Sequence, residues 1–126
     1  MKNKLLTFLS CASILVSSGL SAAFVINPGL ARAYSSPGSP KGFVNDYANI
    51  IDDSREQALE SNLKSFSDRT SNQIVVVTIP SLDGDTIENY ANQLFREWGI
   101  GTKEKNNGVL LIVAPAEHRV RIEVGY

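Results

Sequence analysis

Gln73-Ile-Val-Val-Val-Thr-Ile79 and Gly108-Val-Leu-Leu-Ile-Val-Ala114 are both too apolar to face water, and the residues between them decide the fold. The first run is β-branched at nearly every position, which suits a strand covered on both faces. Pro80 ends it. From Asp85 the period changes: Ile87, Tyr90, Ala91, Leu94, Phe95 and Trp98 recur at the three- and four-residue spacing of one helix face. That face must lie on the sheet, so a helix is predicted over about 85–98 with Tyr90 and Trp98 in the core. A strand, crossover helix, strand unit of this length makes the two strands parallel and the crossover right-handed. The core is therefore α/β.

Working outward from this unit, Leu59, Leu63 and Phe66, helped by Ala58, make a narrower apolar stripe, with Glu56, Glu60, Lys64 and Asp68 on the wet side. Asp52 is placed to cap that helix, and Thr70-Ser71-Asn72 closes it. Residues 42–51 mix aromatic and branched side chains with Asn and Asp, the pattern of a short strand or an irregular lead-in. After the second core strand, Pro115-Ala116-Glu117-His118 makes a short turn, and Arg119-Val-Arg-Ile-Glu-Val-Gly125 alternates like a one-sided antiparallel edge strand. Arg119, Arg121 and Glu123 share one face of it, which reads as a wet face or as pairing to residues not present. The expected fold is a mixed sheet with a right-handed parallel βαβ unit, a C-terminal β-hairpin and helices packed on the sheet. The chain stops at Tyr126 just after displaying a sheet edge, so a truncated C-terminus is expected.

The 126 residues give room for one domain. Residues 1–33 are set apart as a secretory signal: Lys2 and Lys4 supply a positive start, 5–25 carries no charge, and Ala31-Arg32-Ala33 offers a small, any, small cleavage pattern behind Pro28 and Gly29. Cleavage after Ala33 is favoured over the site at Ser21-Ala22-Ala23. An uncleaved membrane anchor is the alternative, because the uncharged stretch is long enough to span a bilayer although rich in Ser. The expected location is outside the cytoplasm: periplasm, cell envelope or extracellular space, or a lumen in a photosynthetic source. Cys11 is the only cysteine and lies inside this signal, so the exported part has no disulfide and no thiolate site. Losing Lys2, Lys4 and Arg32 from twelve basic residues leaves nine against thirteen acidic ones, a balance that excludes nucleic acid as an expected partner. Residues 34–41, Tyr-Ser-Ser-Pro-Gly-Ser-Pro-Lys, have the composition of a linker, and the folded domain is expected over 42–126.

The chain resembles the TPM domain family, the exported domains grouped with thylakoid-lumen and photosystem II repair proteins, MOLO-type relatives and YgcG-like bacterial proteins. The resemblance rests on Val44-Asn-Asp46-Tyr-Ala48, on Gln73-Ile-Val-Val-Val, and on the Gly84 loop leading to Ile87-Glu-Asn-Tyr-Ala91. Leu94-Phe95-Arg-Glu-Trp98-Gly-Ile-Gly101, Asn107-Gly-Val-Leu-Leu-Ile-Val and the final alternating strand complete it in family order. It implies either an accessory role toward membrane proteins or a weak, metal-assisted acid phosphatase activity. Family members usually continue with a further segment and helices, so acids carried there have no counterpart in this chain.

Open α/β sheets bind ligands outside the carboxyl ends of their parallel strands, and the segment leaving Ile79 at that end carries Asp83 and Asp85. Asp46 is expected to approach from the lead-in. Three carboxylates hold a hard cation such as calcium or magnesium, and the cation in turn binds a phosphate oxygen that carboxylates alone repel. Against this stand ordinary roles for each residue: Asp85 as a helix N-cap, Asp83-Gly84 as a turn, and Asp46 bonded to nearby amides. Lys103 and Lys105 read as a solvated loop, and His118, the sole histidine, as an exposed turn residue. No Ser, His, Asp triad can be assembled. Two functions are thus open: a docking module for membrane or envelope proteins, which is preferred, and a phosphatase using Asp46, Asp83 and Asp85 with calcium or magnesium on an unidentified small-molecule substrate.

Overall fold

The computed structural model describes residues 34–125. The expected signal sequence, 1–33, and Tyr126 lie outside them. The elements are β1 (Val44–Asp46), α1 (Asp53–Thr70), β2 (Gln73–Thr78), α2 (Ile87–Glu97), β3 (Gly108–Ala114) and β4 (Arg119–Val124). They form one mixed sheet in the order β1-β2-β3-β4, with the first three strands parallel and β4 antiparallel to β3. The lead-in is thus a three-residue parallel edge strand, and the two apolar runs are parallel neighbours as their spacing requires.

Side chains alternate across a strand, so the register divides the sheet into two faces. On the first face Val75, Val77, Leu110 and Ile112 pack under Ile87, Tyr90, Ala91 and Leu94 of α2. This is the core. On the second face α1 lies against β1 and β2, where Val44 and Val76 are buried. No residue of α1 is fully buried, and Leu59, Leu63 and Phe66 are half-buried, in keeping with the narrow stripe. Asp52 caps α1 by accepting from the Arg55 amide at 3.1 Å. Glu60 accepts from the Val44 amide at 2.7 Å, which blunts the outer edge of β1.

Four expectations need correction. First, β3 is covered on one face only: Leu110 and Ile112 are buried, whereas Val109, Leu111 and Val113 on the second face are half-exposed. Second, the polar and apolar sides of β4 are reversed relative to a wet polar face. Arg121 and Glu123 turn toward α2, with Arg121 Nη2 2.8 Å from Glu123 Oε2 and Nη1 4.0 Å from Glu88 Oε1, while Val120 and Ile122 are 63% and 62% exposed. The register explains this, because Arg121 pairs with Ile112 and Ile122 with Leu111, and only the Ile112 face carries a helix over these strands.

Third, Trp98 is half-buried at the margin of the core, because α2 ends at Glu97. Its indole Nε1 donates to the Gly38 carbonyl at 2.7 Å. Asp85 is likewise not the cap of α2. Thr86 takes that place, accepting from the Asn89 amide at 3.2 Å.

Candidate functional site

The carboxyl ends of β1 and β2, the loop entering α2 and the β3–β4 turn meet at one edge of the sheet, and the polar side chains there are held mostly by one another. Asp46 closes β1. Its carboxylate accepts from the Ile51 amide at 2.8 Å, the Ile50 amide at 3.2 Å and the Thr78 hydroxyl. Burial alone pushes the Asp46 carboxyl up, but these hydrogen bonds together hold it below the ordinary aspartate value of 3.8. Asp83 stands at φ 52° in the turn before α2, its amide donating to Ser81 Oγ at 2.9 Å. Asp85 accepts from the Thr86 amide at 2.7 Å and from Asn89 Nδ2 at 2.9 and 3.0 Å.

The three aspartates therefore share an edge without converging. Alternation places Asp46 with Thr78 on the second face of the sheet, whereas Asp83 and Asp85 lead into α2 on the first. Both Asp46 oxygens are already engaged by donors. Among the described residues no group of three or more His, Cys, Asp or Glu side chains is set to hold a metal ion.

Glu117 is the residue that reading the sequence missed. From the β3–β4 turn its Oε1 accepts from Ser81 Oγ at 2.8 Å and from the Leu82 amide at 2.9 Å, while Oε2 is shielded from solvent and has no hydrogen-bond partner among the described residues. The Leu82 amide and then the Ser81 hydroxyl hold its carboxyl below the usual glutamate range. One signal pointed to it: a hairpin leaving a parallel strand at its carboxyl end delivers its turn to the same edge.

Beside this edge lies a cavity of about 230 Å³ whose walls include Ser36, Pro37, Tyr47, Ser81, Asp83 and Tyr90. Burial first, then the charges of Glu97 and Asp83, push the Tyr90 phenol up to about 12, which keeps it neutral at physiological pH. The field here is negative and disfavours a free anion. A larger cavity, about 700 Å³, opens at the opposite end of the sheet between Phe95, Arg96, Lys103 and Gly125. His118 is exposed at φ 53° in its turn, where the sequence placed it.

Asp46→Ala is expected to cost about 1–2 kcal/mol, the usual value for hydrogen bonds to a charged acceptor at a partly solvated site. Because the folded value is depressed, this contribution is complete above the ordinary aspartate value of 3.8 and lost as pH falls through the lower folded value. Urea titrations of both proteins between pH 6 and about pH 2 should therefore converge at the acid end.

A four-stranded mixed sheet with α2 on one face and α1 on the other, carrying a tyrosine-lined acidic cleft at its carboxyl edge, defines a small α/β domain. The chain belongs to the TPM domain family, whose model matches residues 44–126. It is similar to the solution NMR structure of the N-terminal domain of a protein from P. gingivalis, with 32% identity and a TM-score of 0.62 over 67% of this chain and 54% of that one. It is also similar to the solution NMR structure of the N-terminal domain of a protein from Corynebacterium glutamicum, with 25% identity and a TM-score of 0.57 over 74% of this chain and 60% of that one. The chain thus spans less than two thirds of either structure. No curated protein matches it.

Proposed function

We propose that this TPM domain is an exported accessory module that docks on membrane or cell-envelope proteins through the open face of β3 and β4. One observation carries the reading: Val120, Ile122 and Val124 are 63%, 62% and 38% exposed, and they pair with half-exposed Val113, Leu111 and Val109 to make a continuous apolar strip. A strip of this kind, bounded by polar residues, marks a surface that another polypeptide covers. The kinship with thylakoid-lumen, photosystem II repair and YgcG-like bacterial proteins belongs to this reading, as does export. No described helix is long and apolar enough to cross a membrane. Metal-assisted phosphate hydrolysis, the alternative, has the family's phosphatase name in its favour. Against it stands an edge on which Asp46 and the pair Asp83 and Asp85 lie on different faces.

The sole cysteine, Cys11, lies within the expected signal, so Ile122→Cys gives the exported form a single thiol on the strip. That form is expected by mass spectrometry to begin at Tyr34. Its thiol should react freely with a maleimide in the isolated protein and be protected when envelope membranes are added. Protection already present in the isolated protein would mean that the chain covers the strip itself, and the docking reading would fall.

A further inference from the structure

Residues 34–41 read as a linker, yet they lie along the first face beside α2 and are tied down at several points. Tyr34 Oη donates to Glu97 Oε2 at 2.6 Å and Ser36 Oγ to Glu97 Oε1 at 2.5 Å. Trp98 Nε1 donates to the Gly38 carbonyl at 2.7 Å, and Tyr47 Oη to the Ser39 carbonyl at 3.3 Å. The Tyr34 ring meets Tyr90 edge to face, with centroids 4.9 Å apart and planes at 70°. Tyr34 and Ser36 alternate, as in an extended chain that presents groups to one side, and the chain then turns at Gly38, whose φ is 98° and whose amide donates to Ser36 Oγ at 3.1 Å.

The character of these contacts separates the segment from the rest of the fold. Residues 34–41 belong to no strand or helix and add nothing to the ladder between strands. Their anchors at Glu97, Trp98, Tyr47 and, at the segment's end, Asn45 Oδ1, which accepts from the Lys41 amide at 2.7 Å, are all side chains, so residues 34–40 can lift away about Lys41 with every backbone hydrogen bond of β1 to β4 and of α2 intact. Lifting it would leave a carboxylate, an indole N–H, a phenol and the Tyr90 ring aligned along a groove. Aromatic grooves with a few fixed hydrogen-bonding groups recognise extended, proline-stiffened segments, and Pro37 and Pro40 give this one that stiffness.

We propose that the groove formed by Tyr47, Tyr90, Glu97 and Trp98 is a docking site for an extended, proline-containing chain segment, and that residues 34–41 are its intramolecular occupant. A partner segment that fits carries an aromatic residue, a hydroxyl residue two positions on, and a free carbonyl two positions beyond that. An attached occupant acts at an effective concentration on the order of millimolar, so a free competitor gains entry only where the resident contacts are weakened or its own concentration is comparable. The same displacement opens the cavity at the carboxyl edge, since Ser36 and Pro37 form part of its wall.

Trp98 is the only tryptophan and reports on the groove directly. In the exported chain, Tyr34→Ala combined with Ser36→Ala should shift Trp98 emission to the red while the cooperative unfolding of the sheet is retained. A synthetic peptide of residues 34–41 should reverse that shift in the double variant and leave the wild-type chain unaffected until it reaches about millimolar concentration. Unchanged emission in the variant, or a shift that the peptide does not reverse, would overturn the proposal. Trp98→Phe supplies an independent measure if the double variant does not fold: hydrogen exchange at the Gly38 and Lys41 amides should quicken on the order of tenfold, with β2 and β3 unchanged. Exchange quickening throughout the sheet would instead make residues 34–41 part of the core and sink the idea.

Discussion

Leu94→Ala is expected to lower the unfolding free energy by about 3–5 kcal/mol, the range for removing a fully enclosed leucine and leaving its cavity. Leu94 has no solvent exposure and sits in the cluster where α2 meets Val77, Leu110 and Ile112. These neighbours are anchored in the central ladder, with Val77 and Ile112 paired across β2 and β3, so they cannot close in on the space. Trp98→Ala should cost less, because Trp98 is half-buried and faces residues 34–41. Denaturant titration of the two variants at pH 7 would check the order. A larger loss at Trp98 than at Leu94 would place the centre of the core at the wrong end of α2.

Gly108→Ala should destabilise by about 3 kcal/mol, the upper end of the overpacking range, although the substitution adds a single methyl at the first residue of a strand. A Cβ there would lie 2.6 Å from the Ile100 carbonyl carbon and 2.8 Å from the Gly101 amide nitrogen. Both obstacles are backbone, and neither can swing aside. Gly101, on the other side of the contact, holds φ 80° and donates its amide to Gln73 Oε1 at 2.7 Å, so the loop leaving α2 is fixed on the start of β2 as well. Gly99→Ala provides the comparison. Its positive φ of 59° carries a backbone cost, but a Cβ at that position meets nothing within 4 Å, so the loss should be smaller. Equal losses in thermal unfolding would show that close backbone approach is not what Gly108 provides.

The sequence determined the central unit of this protein because its signals are local and periodic. The β-branched run at 73–78, the stripe Ile87, Tyr90, Ala91, Leu94 and the run at 108–114 each state their own secondary structure, and the length between the strands makes them parallel. The same locality led the eye to Asp46, Asp83 and Asp85 at the carboxyl edge. Whether the three converge depends on the face each carboxylate takes, which the alternation of β1 and the path into α2 settle together. Tertiary structure alone decided which side of β4 is wet. The alternation Arg121, Ile122, Glu123 is the same whichever face carries a helix, and α2 happens to stand over the arginine side. It also decided the fate of residues 34–41 and the placement of Glu117. Composition marks the first as a linker and the second as a turn residue, while their partners Glu97, Trp98, Ser81 and Leu82 lie 35 to 63 positions away in the chain. Side chains brought together over such separations leave no periodic trace in the sequence, because nothing short of the folded sheet makes them neighbours.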